Sequence, residues 1–179
     1  VWPQNADSSF AKKRSTLGAG IVFTSPGIPM IFQGQEFLED GWFDDSKPLD
    51  WGKVEKFPGI VELYKELFRL RRNAFGTTKG LLGQYVNVHH VDPDSRLIAY
   101  HRFAEGPAQE ACVVVANFAG QGVENYAIGF PAAGTWKLRF NSDAKVYDPE
   151  FTDFPSGDVT AVEEGQDGLP CRGAVGIGP

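Results

Sequence analysis

The feature that most constrains the fold is one short apolar run, Ile28-Pro29-Met30-Ile31-Phe32, between two segments of helical pattern. A continuous apolar run bounded by turn residues is typical of a strand buried on both faces, as in a parallel sheet. Such a strand needs neighbours that pair its backbone groups and cover its side chains. A lone strand has none, so residues 1 to about 75 are predicted to be the tail of a larger α/β protein.

Two helices are predicted on either side of this run. Asp7-Ser8-Ser9 offers N-cap side chains before residues 10–23, and Pro26 and Gly27 end that segment. Residues 60–72 follow Pro58 and Gly59, carry their apolar side chains on one face and end in arginines that complement the helix macrodipole. Between the two, residues 35–58 form a long aromatic and acidic connection, which is typical of a functional loop or lid.

Beyond residue 75 the pattern changes to short β-rich runs separated by Gly, Pro, Asp and Asn. Strands are predicted at 84–91, 96–103, 112–118, 124–130, 135–141, 144–147, 159–162 and 174–177. This number of short strands in about 100 residues favours an antiparallel β-sandwich. We therefore expect two domains: residues 1–78, the tail of a larger α/β unit, and residues 79–179, an all-β sandwich.

Length and composition exclude several classes of protein. A complete (β/α)8 barrel needs about 250 residues, whereas this chain has 179. The net charge is −6 and the basic residues do not form a dense patch, so no nucleic-acid partner is expected. No stretch of 18 apolar residues exists, so no membrane span is expected. The chain begins at Val1 rather than Met, and we expect it to be cut from a longer polypeptide.

Three segments resemble a known family. Gly27-Ile28-Pro29-Met30-Ile31-Phe32-Gln33-Gly34-Gln35-Glu36 matches the pattern G-x-P-x-I-x-x-G-x-E around the eighth barrel strand of the α-amylase superfamily, glycoside hydrolase family thirteen. Pro48-Leu49-Asp50-Trp51 and Trp136-Lys137-Leu138-Arg139-Phe140-Asn141-Ser142-Asp143 are similar to stretches of glucan branching enzymes and their amylase relatives. Val146-Tyr147-Asp148-Pro149 stands where branching enzymes usually have a Tyr-Gly-Gly turn, so branching and hydrolysis both stay open.

The resemblance implies a fold and an activity for the parent protein. Residues 1–78 would be the seventh helix, eighth strand and eighth helix of the catalytic barrel, and the rest its C-terminal sandwich. The parent would act on α-1,4-linked glucans of the glycogen or starch type, in the cytoplasm, by a retaining mechanism with paired carboxylates. Those carboxylates lie on earlier barrel strands, so no catalytic residue is expected in this chain, which would be inactive alone. No cofactor is expected.

Several side chains are candidates for sugar contacts. Gln35 and Glu36 follow the predicted strand at the face where barrels place their sites, although Glu36 is also suited to bonding loop backbone. Trp42 is suited to stacking on a glucose ring or to anchoring the loop. In the sandwich, Tyr126 and Trp136 are candidates for a surface glucan site, or are ordinary inward-facing strand aromatics.

Other polar clusters favour structural roles. The doublets Glu39-Asp40 and Asp44-Asp45 lie on a flexible loop, which rarely holds two carboxylates at a fixed separation. His89-His90 with Asp92 and Asp94 invites a metal site, but neighbouring strand residues point to opposite faces, so no metal is predicted. Cys112 and Cys171 are expected to be isolated thiols, with a long-range disulfide as the alternative.

The sequence therefore leaves two alternative functions. The first is the C-terminal segment of an α-glucan-active enzyme, whose partners are the glucan and the missing barrel of the same chain. The second is a non-catalytic carbohydrate-binding or interaction module that uses the sandwich aromatics alone. If residues 28–32 are a barrel strand without its neighbours, this segment of the isolated chain should fold back against the rest of the chain, become disordered or cause self-association.

Overall fold

A computed structural model describes residues 7–179. The helical region, residues 7–78, contains α1 (Ser9–Thr24), α2 (Gly52–Lys56) and α3 (Pro58–Arg71), with a 3-10 turn at Gln35–Phe37. The β-region, residues 79–179, has 3-10 turns at Lys79–Leu82 and Ala108–Glu110. Its strands are β1 (Tyr85–Asp92), β2 (Leu97–Phe103), β3 (Cys112–Asn117), β4 (Val123–Phe130), β5 (Gly134–Trp136), β6 (Val159–Ala161) and β7 (Cys171–Ile177). Within residues 7–179, no helix has the length and apolarity to cross a membrane.

The two long helices are confirmed where the sequence predicts them. The Ser8 hydroxyl caps α1 by accepting from the Ala11 N–H at 3.2 Å, and Pro58 opens α3, where its missing N–H costs no hydrogen bond. The helices pack through a shared apolar core that includes Phe23 of α1 and Leu63 and Leu67 of α3. This packing stabilises both helices more than their intrinsic propensity does.

The strand predicted at residues 28–32 does not form in the part of the chain that the structure describes. These residues follow an extended path without a strand ladder, and Ile28 and Met30 are 96% and 83% exposed. Only Ile31 packs against the core of α1 and α3. A parallel strand is stable only beside another strand, and within residues 7–179 no strand pairs with this run. The helix–strand–helix order therefore appears here as helix, extended segment, helix.

The β-region is all antiparallel, as predicted, but is divided into three small sheets. They have the strand orders β1-β2-β3, β4-β7 and β5-β6. Ile128 and Phe130 of β4, Ala99 of β2 and Val175 of β7 meet in one core between the sheets. A bulge in β1 between Val88 and His90 shifts the register of the β1–β2 pair. The β1-β2-β3 and β4-β7 sheets therefore face each other across this shared apolar core.

Two predicted strands are wrong in the segment after β5. The strand expected over 135–141 ends at Trp136, because the Asp158 carboxylate binds the Leu138 N–H at 2.9 Å in place of a strand partner. The strand expected over 144–147 is a turn in which the Tyr147 N–H donates to the Ala144 carbonyl at 3.0 Å. Local polar side chains and turns therefore satisfy this backbone without a sheet.

This irregular segment joins the β-region to the helices. Lys12 of α1 lies 2.8 Å from Asp148 and 2.9 Å from Glu150, and Lys13 pairs with Asp143. Phe151 is buried in the core of α1 and α3. The two regions therefore share both apolar and ionic contacts.

Candidate functional site

Gln35 lies at the end of the extended segment, just after a tight turn. Gly34 has a φ of 83°, which favours glycine, and an added Cβ there would meet the Glu39 Cβ at 2.5 Å. The Gln35 side-chain oxygen accepts from the Phe32 N–H at 2.6 Å, while the residue itself is exposed. The turn at Gly34 therefore sets the position of Gln35 at the end of the extended segment.

Glu36 points inward toward α3 rather than outward with Gln35. One of its carboxylate oxygens is buried and has no hydrogen-bond partner among residues 7–179. Burial raises the pKa of the Tyr64 phenol, and the nearby Glu36 carboxylate raises it further. Glu36 therefore holds a buried acceptor without a donor in the part of the chain that the structure describes.

The first acidic doublet of the loop, Glu39-Asp40, forms ion pairs with one lysine. Lys53 of α2 binds Glu39 at 3.0 Å and also binds Asp40. Burial opposes the charge on Glu39, but the Asp50 N–H and the Lys53 ammonium outweigh it and lower the Glu39 pKa. The geometry is that of a loop anchor, with both carboxylates directed at one cation.

The loop aromatics divide into one that is free and one that is anchored. Trp42 is 85% exposed, next to Phe43, whose ring meets Phe32 edge-on at 5.8 Å. Trp51 lies 5.2 Å from the buried ring of Phe37. Trp51 is itself 63% exposed, so Trp42 is the more exposed of the two loop tryptophans and the better placed to stack on a sugar ring.

These residues border an exposed apolar surface, which we call the open face. Its members are large side chains of α1 and of residues 28–43 that remain exposed: Phe10, Ile28, Met30, Phe32 and Phe43. A groove of about 690 Å³ runs between Phe10, Met30 and Phe32 along the side of α1. Apolar surface of this extent typically marks an interface.

The two β-region candidates use their polar atoms inside the protein. The Tyr126 hydroxyl donates to Asp92 at 2.5 Å and lies 2.9 Å from His90 Nε2. Burial and this contact with Asp92 raise the pKa of Tyr126 to about 12. The Trp136 indole N–H donates to the Ala132 carbonyl at 2.9 Å, and its ring packs on Phe130 at 5.3 Å.

The histidines and cysteines do not converge on one point. His90 bonds to Asp167 at 3.1 Å, whereas His89 faces His101 at 3.2 Å between their Nδ1 atoms. Among residues 7–179, no group of three or more His, Cys, Asp or Glu side chains is arranged to hold a metal ion. Both cysteines are free thiols, as expected.

Sequence reasoning missed two charged residues that organise the molecule. Asp143 accepts from the N–H groups of Thr152 and Phe154 at 2.9 and 3.0 Å, in addition to its pair with Lys13. Arg102 is fully buried, and every acceptor found for its guanidinium is a main-chain carbonyl. An arginine within the apolar strand pattern of residues 96–103 was the available signal for Arg102.

Comparison with known proteins agrees with this architecture. The family described as the alpha amylase C-terminal all-beta domain matches residues 85–177. The chain is 27% identical to the 1,4-alpha-glucan branching enzyme GlgB of Mycolicibacterium paratuberculosis over 99% of its length, and 31% identical to that of Rhizobium meliloti over 72%. It covers only 24% and 18% of those relatives.

A solved structure shows the same fold at lower sequence identity. The pullulanase of Anoxybacillus sp. LM18-11, complexed with maltotetraose, superposes on 95% of this chain with a TM-score of 0.57 and 19% identity. The chain covers 24% of that structure. Since the family match extends over more than half of the 179 residues, the chain belongs to the α-amylase C-terminal all-beta domain family.

Proposed function

We propose that this chain is the C-terminal segment of an enzyme that acts on α-1,4-linked glucans by a retaining mechanism. The observation that carries the proposal is the family match over 85–177 together with alignment to branching enzymes along nearly the whole chain. Because the chain covers about a quarter of such relatives, the catalytic carboxylates would lie in the polypeptide that precedes it. Branching and hydrolysis of a cytoplasmic, glycogen-type glucan are both compatible with this segment.

Within that enzyme, residues 1–78 would complete the catalytic barrel and residues 79–179 would form its C-terminal domain. Support comes from the open face, which lies on α1 and on the extended segment. Residues 28–32 would become the eighth barrel strand once neighbouring strands supply hydrogen bonds on both edges. The unpartnered oxygen of Glu36 would then receive a donor from the barrel.

Sugar contacts would come from Gln35 and Trp42, with Glu36 either contacting the sugar or supporting the loop. The exposed side chain of Gln35 and the free face of Trp42 support this assignment. In the complete enzyme, Trp42→Ala is expected to raise KM. The matched control is Phe75→Ala, which removes an exposed aromatic outside the loop.

The experiment that tests the function compares two readouts on amylose. The complete polypeptide is incubated with amylose while iodine colour and reducing ends are followed. Hydrolysis lowers the colour and creates reducing ends, whereas α-1,6 transfer changes the colour without them. Residues 1–179 alone should do neither, and turnover by this segment above a boiled control would contradict the proposal.

The alternative is a carbohydrate-binding module that uses Tyr126 and Trp136. It has less support, because the hydroxyl and the indole N–H are already bonded within the β-region. Retardation of the 179-residue chain in a gel containing amylose, abolished by Tyr126→Phe or Trp136→Phe, would favour this module over the enzyme segment.

A further inference from the structure

The C-terminus of α1 is capped only in part by its own residues: the Ser25 N–H and hydroxyl donate to the Ile21 carbonyl at 2.9 and 2.7 Å, and the Thr24 hydroxyl donates to the Gly20 carbonyl at 2.7 Å. The last turn of α1 contains no basic residue, and its C-cap, Ser25, has an extended conformation. The final carbonyls of a helix have no partners within the helix and carry a partial negative charge. At the end of α1 these carbonyls lead directly into the extended segment at 28–32.

Two arginines from other elements bind these carbonyls. Arg102 of β2 donates from Nη1 to the Thr24 carbonyl at 2.6 Å. Arg71, at the end of α3, donates to the Ser25 carbonyl at 2.8 Å and also to the Gly27 carbonyl. The corner after α1 is therefore held by both α3 and the β-region.

Arg102 is built into the β-region by its remaining donors. Its Nε donates to the Tyr85 carbonyl at 3.1 Å, and Nη2 donates to the carbonyls of Leu81 and Gly83. Burial, and the neighbouring charge of Arg71, lower the Arg102 pKa. Carbonyl dipoles and the C-terminus of α1 therefore take the place of a counter-ion for this cation. A planar guanidinium presents five donors in a fixed fork, whereas the three donors of an ammonium all leave from one nitrogen and cannot reach acceptors placed as widely as these.

We propose that Arg71 and Arg102 are positioning residues that fix the path from α1 to Gln35 and Glu36. Arg102 supplies the contribution of the β-region, so the all-β domain sets the position of a segment that lies outside it. The corner at 24–27 fixes one end of the extended segment, and the turn at Gly34 fixes the other. The consequence for glucan binding rests on the proposed function, but the positioning itself is a property of this chain.

The proposal is tested by ¹⁵N relaxation on the 179-residue chain and its variants. We expect backbone order parameters of about 0.85 at Gly27 and Ile28 in the unaltered chain, falling below about 0.6 in Arg71→Gln and in Arg102→Lys. Arg71→Lys, which keeps a donor and the charge, should restore part of the order. The thermal midpoint of Arg71→Gln should stay close to that of the matched control Arg72→Gln, an exposed neighbour.

Unchanged order parameters at Gly27 and Ile28 in both Arg71→Gln and Arg102→Lys would overturn the proposal. An equal decrease of these order parameters in Arg72→Gln would overturn it as well. If Arg102→Lys fails to fold, the Arg71→Gln result decides. No glucan is present in this measurement. Failure of the positioning therefore leaves the proposed function standing, and an inactive parent enzyme leaves the positioning standing.

Discussion

The helical region and the β-region differ in how their backbone and apolar surface are covered. In the β-region the cores of the β1-β2-β3 and β4-β7 sheets close on each other around Ile128 and Phe130. In the helical region, α1 and α3 cover one side of each other, while the open face remains exposed. An apolar run becomes a strand only where another strand lies beside it. The β-region contains its own strand partners, whereas among the described residues no strand lies beside residues 28–32 of the helical region.

The largest effect is expected at Asp143, which joins the two regions. Asp143→Asn should lower the free energy of unfolding by about 3 kcal/mol, because it leaves the Lys13 ammonium without its charge partner in a largely buried site. Burial alone would raise the Asp143 pKa, but Lys13, the Thr152 hydroxyl and the N–H groups of Phe154 and Thr152 hold it below the usual range. Urea unfolding measures the change.

The matched control is Asp153→Asn, an exposed residue in the same loop. It should change the free energy of unfolding by less than about 0.5 kcal/mol. Equal effects of the two substitutions would mean that Asp143 does not couple the regions.

A glycine pair distinguishes the closed side of the helical region from its open side. Gly59 of α3 packs so tightly on the β-region that an added Cβ would meet the Tyr147 carbonyl oxygen at 2.1 Å. Gly59→Ala should therefore destabilise the chain by about 2 kcal/mol. A Cβ on Gly18, in the groove of the open face, meets no atom within 4 Å among the described residues.

Gly18→Ala should accordingly stabilise the isolated chain by up to about 1 kcal/mol through helix propensity. Thermal unfolding of both variants provides the comparison. Destabilisation by Gly18→Ala in the 179-residue chain would show that the open face is already covered.

The N-cap of α1 should contribute a smaller amount. Ser8→Ala removes the acceptor of the Ala11 N–H and should cost about 1 kcal/mol. Ser9→Ala, one residue into the helix, is the control and should be neutral or slightly stabilising. Circular dichroism during thermal unfolding separates the two, and identical midpoints would contradict the assigned cap.

The smallest effect is a pH dependence within the β-region. Burial lowers the pKa of His89 and of His101; the charge of His90 lowers the His89 pKa further, and the charge of His89 lowers the His101 pKa further. The unfolded chain, with a usual histidine pKa near 6.5, then binds more protons than the folded chain as the pH falls below that value. Stability should therefore be full above about pH 6.5 and decrease on acidification.

Urea unfolding at about pH 7.5 and about pH 5.5 tests this dependence. His101→Phe keeps a ring beside Phe103 but cannot titrate. Its loss of stability on acidification should be smaller, and an unchanged loss would place the titration elsewhere.

Local patterns predicted the regular elements because those elements depend on local chemistry. The amphipathic stripe of α3 and the caps of α1 are readable from neighbouring residues, as are the turns that bound β1 to β4. The absent strand at 28–32 depends instead on partners remote in sequence. The turn at 144–147 is held by groups that the strand pattern does not reveal: the Tyr147 N–H donates to the Ala144 carbonyl, and the Lys145 N–H donates to the Asp153 carboxylate.

The candidate site was also predictable only in part, because some of its contacts join residues that are remote in sequence. Gln35 and Glu36 were found through a motif and Trp42 as an aromatic of the long loop, and the structure separates an exposed Gln35 and Trp42 from an inward Glu36. The strand pattern marks Arg102 as a charge within an apolar run but does not give its role, because its acceptors lie between 17 and 78 positions away along the chain. Contacts of that range become visible only after folding.

The most direct test of the central claim uses the single methionine of the chain. Met30 lies on the open face and is 83% exposed, so peroxide should oxidise it readily in the 179-residue chain. In the complete parent polypeptide, where the barrel would cover this face, oxidation of Met30 should be at least roughly tenfold slower, since susceptibility follows exposure. Equal rates in the two proteins would contradict the claim that the open face is an interface with the rest of the enzyme.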